Sequence, residues 1–245
     1  MIRVARCKYV YGRMVIPTYP EFEPIVVMTP STKYGSLSPY VLRRVLPDSD
    51  GLVRSQLMEN IWQFSKVYHK VPKAKEYYSR YDRTVIWEHP EETHLVDGEL
   101  TEEYWSWREK GMNAKHPIRY PTGFHHRGQC SYALAKRGGK QLSYIQARKV
   151  IYLPVYHELV ITQPQFKQLL DKLKDGINLL IIEVDGPHQE SLNYYKEKYG
   201  VGDEFIEKDS MPVTRENLKI MLNDPKHPFG HGYCLAMSLI SELAI

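Results

Sequence analysis

The segment ENIWQFSKVY, which begins at Glu59, carries the residues whose types and spacing are best suited to chemistry. On a helix, Glu59, Gln63 and Lys66 fall at i, i+4 and i+7, so a carboxylate, an amide and an ammonium group share one face. Trp62 lies beside them. A carboxylate held ionised near an ammonium group can position water or stabilise positive charge on a sugar ring. The alternative interpretation is a solvated helix face with a stabilising pair of side chains.

A second candidate site is the loop KHPFGHG, which leads into the last predicted helix. The first turn of a helix presents unpaired amides and the positive end of the helix dipole, and both favour phosphate. The residues expected to contact phosphate here are Lys226, His227, Gly230, His231 and Gly232. The alternative interpretation is a turn whose glycines serve only backbone geometry.

The segment EVDGP is a third candidate, because acidic residues at the end of a buried strand often point into a cleft. Glu183 and Asp185 fall at i and i+2, so they share one face of the strand if the strand continues that far. One interpretation is a site with two paired acids. The other is an ordinary Asp-Gly-Pro turn.

The sequence predicts neither a structural metal nor a cofactor. The HEL segment at His157 lacks the second histidine of the zinc-protease motif, and the adjacent His125 and His126 are poorly placed to converge on one ion. The common nucleotide-fold and hydrolase motifs GxGxxG, GxxxxGK[ST] and GxSxG do not occur. Three widely spaced cysteines lack the CxxC spacing and are expected to be free thiols: Cys7, Cys130 and Cys234.

Composition indicates a globular protein with a substantial core. The chain has 245 residues, of which 42% are apolar and 25% are charged, and its formal net charge is +4. This mildly basic balance suits a phosphate-bearing ligand. No apolar stretch approaches the roughly 20 residues that a membrane helix needs, and the opening residues lack a signal-peptide core. We therefore expect a soluble, cytoplasmic protein that does not bind membranes.

Periodicity along the chain predicts an α+β fold, a helix-dominated single domain over residues 1–245 with a few short strands. Two strands are expected between Ile2 and Met28, and a helix from Leu57 to Val71 that Pro72 ends. Later elements follow turn and cap signals: a helix from about Pro164 to Lys174, the strand NLLIIEV, a helical SLNYYKEKY, a helix that Thr214 caps, and a last helix from about Tyr233.

Residues from about 73 to 128 are predicted to form an insertion over this core. The region is polar and aromatic, and a short helix is expected only around Glu102 to Lys110. It has too few aliphatic residues for a core of its own, so we do not expect a separate domain there.

The order of these motifs resembles the NADAR (YbiA-like) family. In that family's pattern a Ser-rich loop precedes a helix with E-x-x-x-Q-x-x-K, and here GSLSPYVLRRV and Gly51 precede MENIWQFSKVY. The similarity extends in separate blocks to QARKVIYLPVYHELV, the residues through LLIIEV, and the closing FGHGYCLAMSLI. The resemblance implies a YbiA-like fold and cleavage of N-glycosidic bonds in nucleotide-like molecules.

Transferred to this sequence, the resemblance implies catalytic positions at Glu59 and Lys66, with Gln63 between them and Asp185 at the later acidic position. The carboxylate would stabilise a sugar with oxocarbenium character and position water. Trp62 would stack on the base. Further binding residues are expected for phosphate, namely Arg148, Lys149 and the KHPFGHG loop.

The expected activity is that of an N-glycosidase or ADP-ribosyl glycohydrolase-like hydrolase. Its expected substrate is a nucleotide-like small molecule or an ADP-ribosylated nucleic acid. Three alternatives stay open at this point: a glycosyltransferase or glycosylase acting on nucleic acid, a non-catalytic module that binds a nucleotide, and an interaction protein whose tyrosines form a partner surface.

Overall fold

The structure is a computed structural model that describes residues 1–28, 32–47, 53–79, 81–119 and 129–243. The chain divides into two compact units. Unit 1 comprises Met1–Val41 and Leu153–Ile245, and unit 2 comprises Leu42–Tyr152. The region predicted as an insertion falls within unit 2. Gly51, His125 and His126, which the sequence analysis singled out, lie outside the described residues.

Strands and helices are interspersed along the whole chain, so the expected mixture of the two is confirmed. The strands are β1 (Ile2–Arg6), β2 (Lys8–Val10), β3 (Arg13–Val15), β4 (Phe22–Val26), β5 (Arg43–Pro47), β6 (Val53–Leu57), β7 (Lys66–Tyr68), β8 (Lys70–Val71), β9 (Ala74–Tyr77), β10 (Val85–His89), β11 (Glu92–Thr93), β12 (Leu95–Val96), β13 (Glu99–Leu100), β14 (Cys130–Ala133), β15 (Asn178–Glu183) and β16 (Ser210–Pro212).

The α-helices are α1 (Met58–Phe64), α2 (Glu102–Met112), α3 (Tyr144–Ala147), α4 (Leu153–Val160), α5 (Pro164–Lys174), α6 (Leu192–Tyr199), α7 (Arg215–Asn223) and α8 (His231–Glu242). A π-helical segment, Arg148–Tyr152, follows α3 directly. The arrangement of a single YbiA-like domain stays a prediction.

Unit 1 is built on a four-stranded sheet with the strand order β16-β1-β15-β4. Strand β15 pairs parallel with both β1 and β4, and Ile2 is opposite Leu179 and Arg6 opposite Glu183 in the β1–β15 pair, while β16 runs antiparallel to β1. Strand β15 reads as a continuous apolar run because it is buried, as central parallel strands usually are. Helix α8 packs against β1 and β15, and α4, α5 and α7 pack against α8.

Several local signals in unit 1 produce the elements that the sequence predicts. Helix α5 spans Pro164–Lys174 as expected, with proline in its first turn, and Gly176 beyond its end has a φ of +80°. The hydroxyl of Thr214 accepts a hydrogen bond from the Asn217 amide and caps α7. Helix α8 begins at His231, two residues before the predicted Tyr233.

The N-terminal region contains four strands instead of the two expected. A β2–β3 hairpin lies between β1 and β4, and Tyr11 and Gly12 at its tip have φ values of +49° and +75°. A two-residue turn with positive φ matches the twist of such a hairpin, and tyrosine is an unusual residue there. The sequence indicates a break at Gly12, where this turn lies, but a single glycine does not show that the segments on its two sides pair as a hairpin.

Unit 2 consists of short antiparallel pairs around two helices. The pairs are β5–β6, β7–β14, β8–β11, β9–β10 and β12–β13, and α1 packs against α2. Half of its buried core residues are aromatic. The buried members of this core are Phe64, Val67, Tyr68, Val71, Trp87, Leu95, Tyr104, Trp107, Ile118 and Leu134.

The helix predicted from Leu57 to Val71 ends at Phe64, so the prediction is wrong beyond that residue. Lys66 begins β7, in which every residue is buried and which pairs with β14. The guanidinium of Arg108 donates a hydrogen bond to the Phe64 carbonyl oxygen at 3.2 Å and satisfies the end of the helix. Apolar spacing alone does not distinguish a helix from a helix followed by a buried strand.

The expectation that residues 73–128 are largely irregular and lack core residues is corrected for the part that is described. These residues contain β9 to β13 as well as α2. Trp87, Tyr104 and Trp107 are buried and pack with Phe64 and Tyr68 from outside the region. The prediction counted aliphatic residues, whereas half of this core consists of aromatic side chains, each of which buries more area than a leucine.

Within the described parts of the chain, no helix combines the length and the apolarity needed to cross a membrane.

Candidate functional site

Unit 2 brings Glu59, Gln63 and Lys66 together in one hydrogen-bonded relay. The Gln63 amide nitrogen donates to a carboxylate oxygen of Glu59 at 2.7 Å, and the Lys66 ammonium donates to the Gln63 amide oxygen at 2.8 Å. The three residues are 7%, 8% and 9% exposed. Their burial contradicts the alternative of a solvated helix face. A buried polar chain is fixed in geometry, because an unmade hydrogen bond there is costly.

Two different elements position the relay. Glu59 and Gln63 are one turn apart on α1, as predicted, whereas Lys66 reaches Gln63 from the first residue of β7. Lys66 is opposite Ala133 in the β7–β14 pair. A strand residue next to a helix end thus replaces the expected third position on the helix face.

Asn60 fixes the start of α1 from the adjacent position. It is fully buried, and its side-chain amide donates to the carbonyl oxygens of Ala114 at 3.1 Å and His116 at 3.0 Å. Its side-chain oxygen accepts a hydrogen bond from the Ile118 amide at 2.8 Å. Asn60 therefore ties the helix that carries Glu59 to the segment after α2.

Three aromatic rings, Trp62, Tyr144 and Tyr152, form a group beside the relay. The Trp62 ring centroid lies 4.8 Å from that of Tyr152 and 6.1 Å from that of Tyr144. The Lys66 ammonium lies 4.7 Å from the centroid of Trp62, within cation–π range. Trp62 is half-buried and Tyr144 is 49% exposed. The group therefore offers ring faces to solvent next to the buried relay.

The predicted phosphate ligands Arg148 and Lys149 occupy the start of the π-helical segment. Arg148 is 1% exposed, and its guanidinium lies 4.3 Å from the ring centroid of Tyr144. Lys149 is exposed. The two cations therefore differ: one is buried against the aromatic group, and the other is in solvent. Single π-helical turns are frequent at functional sites.

The remaining predicted site residues belong to unit 1, and the first amides of α8 there already hold an anion. The Glu183 carboxylate accepts a hydrogen bond from the Gly232 amide at 2.6 Å, and the His231 ring nitrogen Nδ1 lies 3.1 Å from the same carboxylate oxygen. A Cβ atom added at Gly230 would lie 2.6 Å from the Glu183 carboxyl carbon. The expectation of phosphate at this helix start is corrected, because a side-chain carboxylate occupies the place.

Asp185 does not share a strand face with Glu183. Strand β15 ends at Glu183, and Asp185 lies in the turn that follows. One carboxylate oxygen of Glu183 accepts hydrogen bonds from the Val184 amide at 2.7 Å and the Asp185 amide at 3.3 Å. The turn folds around the Glu183 side chain. The alternation of side chains between the two strand faces, on which the paired-acid prediction depended, therefore stops at Glu183.

Lys226 and His227 lie in a turn organised by Asp224, a residue that the sequence analysis missed. Asp224 is fully buried and accepts hydrogen bonds from the amides of Lys226 at 3.1 Å and His227 at 3.3 Å. Its carboxylate also accepts from the hydroxyls of Tyr194 at 2.5 Å and Tyr195 at 2.9 Å. The only sequence signal was an aspartate just after a helix and before a proline, which is a common turn pattern.

The pKa of Asp224 reflects this environment. Burial alone would raise the pKa of the carboxyl, but hydrogen bonds from Tyr194 and His227 outweigh burial and lower the pKa to about 2. The Lys226 ammonium lies 4.3 Å from the ring centroid of Tyr194 instead of extending toward a free helix start. Lys226 and His227 therefore belong to the surroundings of Asp224.

Unit 2 also contains an open cleft of about 350 Å³. It is lined by Leu46, Arg54, Gln56, Trp105, Arg108, Glu109, Met112, Asn113 and Arg137. Glu59, Gln63 and Lys66 are not among these residues. The Arg137 guanidinium lies 4.9 Å from the ring centroid of Trp105 and pairs with Glu102 at 2.8 Å.

Among the described residues, no group of three histidine, cysteine, aspartate or glutamate side chains is arranged to hold a metal ion. His89 and His94 both approach Glu92, at 3.6 Å and 3.3 Å. Burial lowers the pKa of His94, although Glu92 opposes this effect. The three cysteines, Cys7, Cys130 and Cys234, are free thiols.

No family model, no curated protein and no solved structure matches this chain. The resemblance to the NADAR family therefore depends on the motifs in the sequence alone.

Proposed function

We propose that unit 2 carries the active site of an N-glycosidase that cleaves the bond between a base and a ribose in a nucleotide-like substrate. The observation that carries this proposal is the buried relay, in which the Glu59 carboxylate is fixed by Gln63 and Gln63 by Lys66. A carboxylate held in one position can stabilise positive charge as it develops.

The reaction breaks the bond between the anomeric carbon and the base nitrogen. The bonding electron pair leaves with the base, and the sugar gains oxocarbenium character, as in other glycosidic cleavages. Glu59 is the catalytic carboxylate that stabilises this charge. Water then adds to the anomeric carbon, and the proton that it loses passes to Glu59 and from there to the departing base.

Gln63 and Lys66 act as positioning residues in this proposal. The amide of Gln63 donates one hydrogen bond to Glu59 and accepts one from Lys66. The neutral amide therefore lies between the ammonium charge of Lys66 and the carboxylate. A direct contact with lysine would neutralise the carboxylate more strongly. The intervening amide orients Glu59 and leaves more of its negative charge for the sugar.

The aromatic group offers a surface for the base. A nucleobase stacked on an aromatic side chain gains about 1–3 kcal/mol. Trp62 and Tyr144 both keep exposed ring surface, and Lys66 and Arg148 each lie against one of these rings. We propose that exposed Lys149 binds the substrate phosphate, while the buried guanidinium of Arg148 holds the Tyr144 ring in place.

The test is to incubate the purified chain with ADP-ribosylated guanine oligonucleotides and with ribosylated bases, and to detect released base and sugar phosphate by mass spectrometry. Glu59→Gln is expected to lower the rate at least about 100-fold, since it removes the charge and keeps the shape. The matched control is Glu99→Gln, an exposed glutamate on β13 of the same unit, which should keep the full rate.

Two outcomes separate this proposal from its alternatives. Tight binding of these ligands with no released base, and with an affinity that Glu59→Gln leaves unchanged, would indicate a binding module. Transfer of the sugar to an acceptor other than water would indicate a transferase. Either result would overturn the hydrolase proposal.

A further inference from the structure

Ser191, His227 and Asp224 of unit 1 form a second hydrogen-bonded chain. The Ser191 hydroxyl oxygen lies 3.1 Å from His227 Nε2, and His227 Nδ1 lies 2.6 Å from a carboxylate oxygen of Asp224. Ser191 immediately precedes α6, whereas Asp224 and His227 lie three residues apart in the loop between α7 and α8. This order of hydroxyl, imidazole and buried carboxylate is the arrangement that activates a serine nucleophile.

The surroundings of Asp224 fix the tautomer of His227. Asp224 is fully buried and ionised, so it can only accept hydrogen bonds, and Nδ1 of His227 must carry the proton that lies between them. In the neutral imidazole the other nitrogen, Nε2, is then an acceptor, and it faces the Ser191 hydroxyl. Tyr194 and Tyr195 donate to Asp224 as well and hold the carboxylate in place. The imidazole is therefore oriented to take a proton from serine.

The Ser191 hydroxyl contacts His227 and does not cap α6. Ser191 is the last residue of a 3₁₀ turn, Gln189–Ser191, that leads directly into α6. Its backbone is helical (φ −87°, ψ −4°), whereas a serine that caps a helix has an extended backbone, and its side chain makes no capping hydrogen bond. The hydroxyl is therefore available to His227 Nε2, which lies 3.1 Å away.

The pair of Ser191 and His227 is accessible from solvent. Ser191 is half-buried, and the side chain of His227 keeps 20% of its surface exposed. Asp224 lies beneath them with none of its side chain exposed. Solvent exposure therefore increases from the buried carboxylate of Asp224 to the partly exposed imidazole of His227 and the accessible hydroxyl of Ser191.

We propose that Ser191 is a nucleophile that attacks carboxylic esters, with His227 as its general base and Asp224 as the residue that orients His227. The Ser191 oxygen forms a bond to the carbonyl carbon while its proton moves to His227 Nε2. The carbon–oxygen bond to the alcohol breaks, and the alcohol leaves with that proton. Water then attacks the acyl-serine, gives its proton to His227, and releases the carboxylic acid and the free serine.

The experiment treats the full chain with 4-nitrophenyl acetate and follows 4-nitrophenolate release and the acetylated residue by peptide mass spectrometry. We expect one rapid release per chain with the acetyl group on Ser191, and loss of that release in Ser191→Ala. His227→Gln should slow it about 100-fold or more, since a general base contributes about that much. The control variant is Ser241→Ala, which changes an exposed serine at the end of α8. In this variant Ser191 should be acetylated at the unchanged rate.

Asp224→Asn is informative only if this variant folds, so the thermal unfolding of every variant is measured in parallel. If Asp224→Asn does not fold, the test depends on His227→Gln. A structural hydrogen bond would affect the unfolding temperature without giving an acetylated serine. Acetyl groups found only on lysine, tyrosine or cysteine, or an unchanged release in Ser191→Ala, would overturn the proposal.

Discussion

The ammonium of Lys66 contacts the amide oxygen of Gln63 at 2.8 Å, and the same Gln63 side chain turns its nitrogen to Glu59. Gln63 is thus satisfied on both ends by groups of opposite charge. Because an amide has one donor end and one acceptor end, the order of the relay cannot be reversed without rotating Gln63. This relationship makes definite predictions about stability as well as about turnover.

The first prediction compares two changes at Glu59. Glu59→Gln keeps an oxygen that can accept from Gln63, so the free energy of unfolding should change by less than about 1 kcal/mol. Glu59→Ala leaves the Gln63 donor without its acceptor in a buried place and should destabilise the chain by about 1–3 kcal/mol. Urea unfolding of both variants measures the difference. Equal losses in the two variants would contradict the relay as described.

The second prediction concerns coupling through Gln63. A double-mutant cycle with Glu59→Gln and Lys66→Met should give an interaction energy of about 0.5–1 kcal/mol, since the two charges share one network. The same cycle in a Gln63→Ala background should give a value near zero. An undiminished interaction energy there would mean that the charges couple directly and not through the amide.

The third prediction concerns Gly111 on α2. A Cβ atom at this position would lie 2.0 Å from a ring carbon of Phe64, which is fully buried on α1. Gly111→Ala would normally favour a helix, but here overpacking should destabilise the chain by about 1–3 kcal/mol or more. The control is Ser106→Ala on an exposed position of the same helix, which should be neutral or slightly stabilising. A stabilising effect of Gly111→Ala in urea unfolding would show that α1 and α2 are less closely packed.

The fourth prediction concerns pH. The pKa of Asp224 is about 2 in the folded chain, below its ordinary 3.8, so its contribution to stability is complete above about pH 4 and is lost as the pH falls toward 2. The shift corresponds to about 2 kcal/mol. The stability difference between the natural chain and Asp224→Asn should therefore shrink by about that amount between pH 5 and pH 2, as measured by urea unfolding. A difference that is constant with pH would refute the depressed pKa.

Part of this molecule could be predicted from sequence because local signals agree with the tertiary structure. Helices α5 and α7 begin and end where their proline, glycine and threonine signals place them. The buried strand β15 could be identified from its apolar run. The pairing of Glu59 with Gln63 followed from helix geometry, since residues four apart on a helix are neighbours.

The rest depended on contacts that no local pattern encodes. Lys66 reaches Gln63 from a strand that exists only because β14 pairs with it. Glu183 occupies the start of α8, which lies about fifty residues later in the sequence, and so replaces the expected phosphate. The hydrogen-bonded chain joins Ser191 to the loop that carries both Asp224 and His227, and His227 lies 36 residues from Ser191 and was singled out for a different reason.

The carboxylate of Glu183 at the first turn of α8 has a consequence for how the sequence can vary. Any Cβ at position 230 or 232 would come within 2.6–2.9 Å of that side chain, and a shorter acid at 183 would leave the Gly232 amide unsatisfied. In homologous chains these three positions are expected to covary: both glycines are retained wherever the glutamate is, and they become free to change only where it is lost.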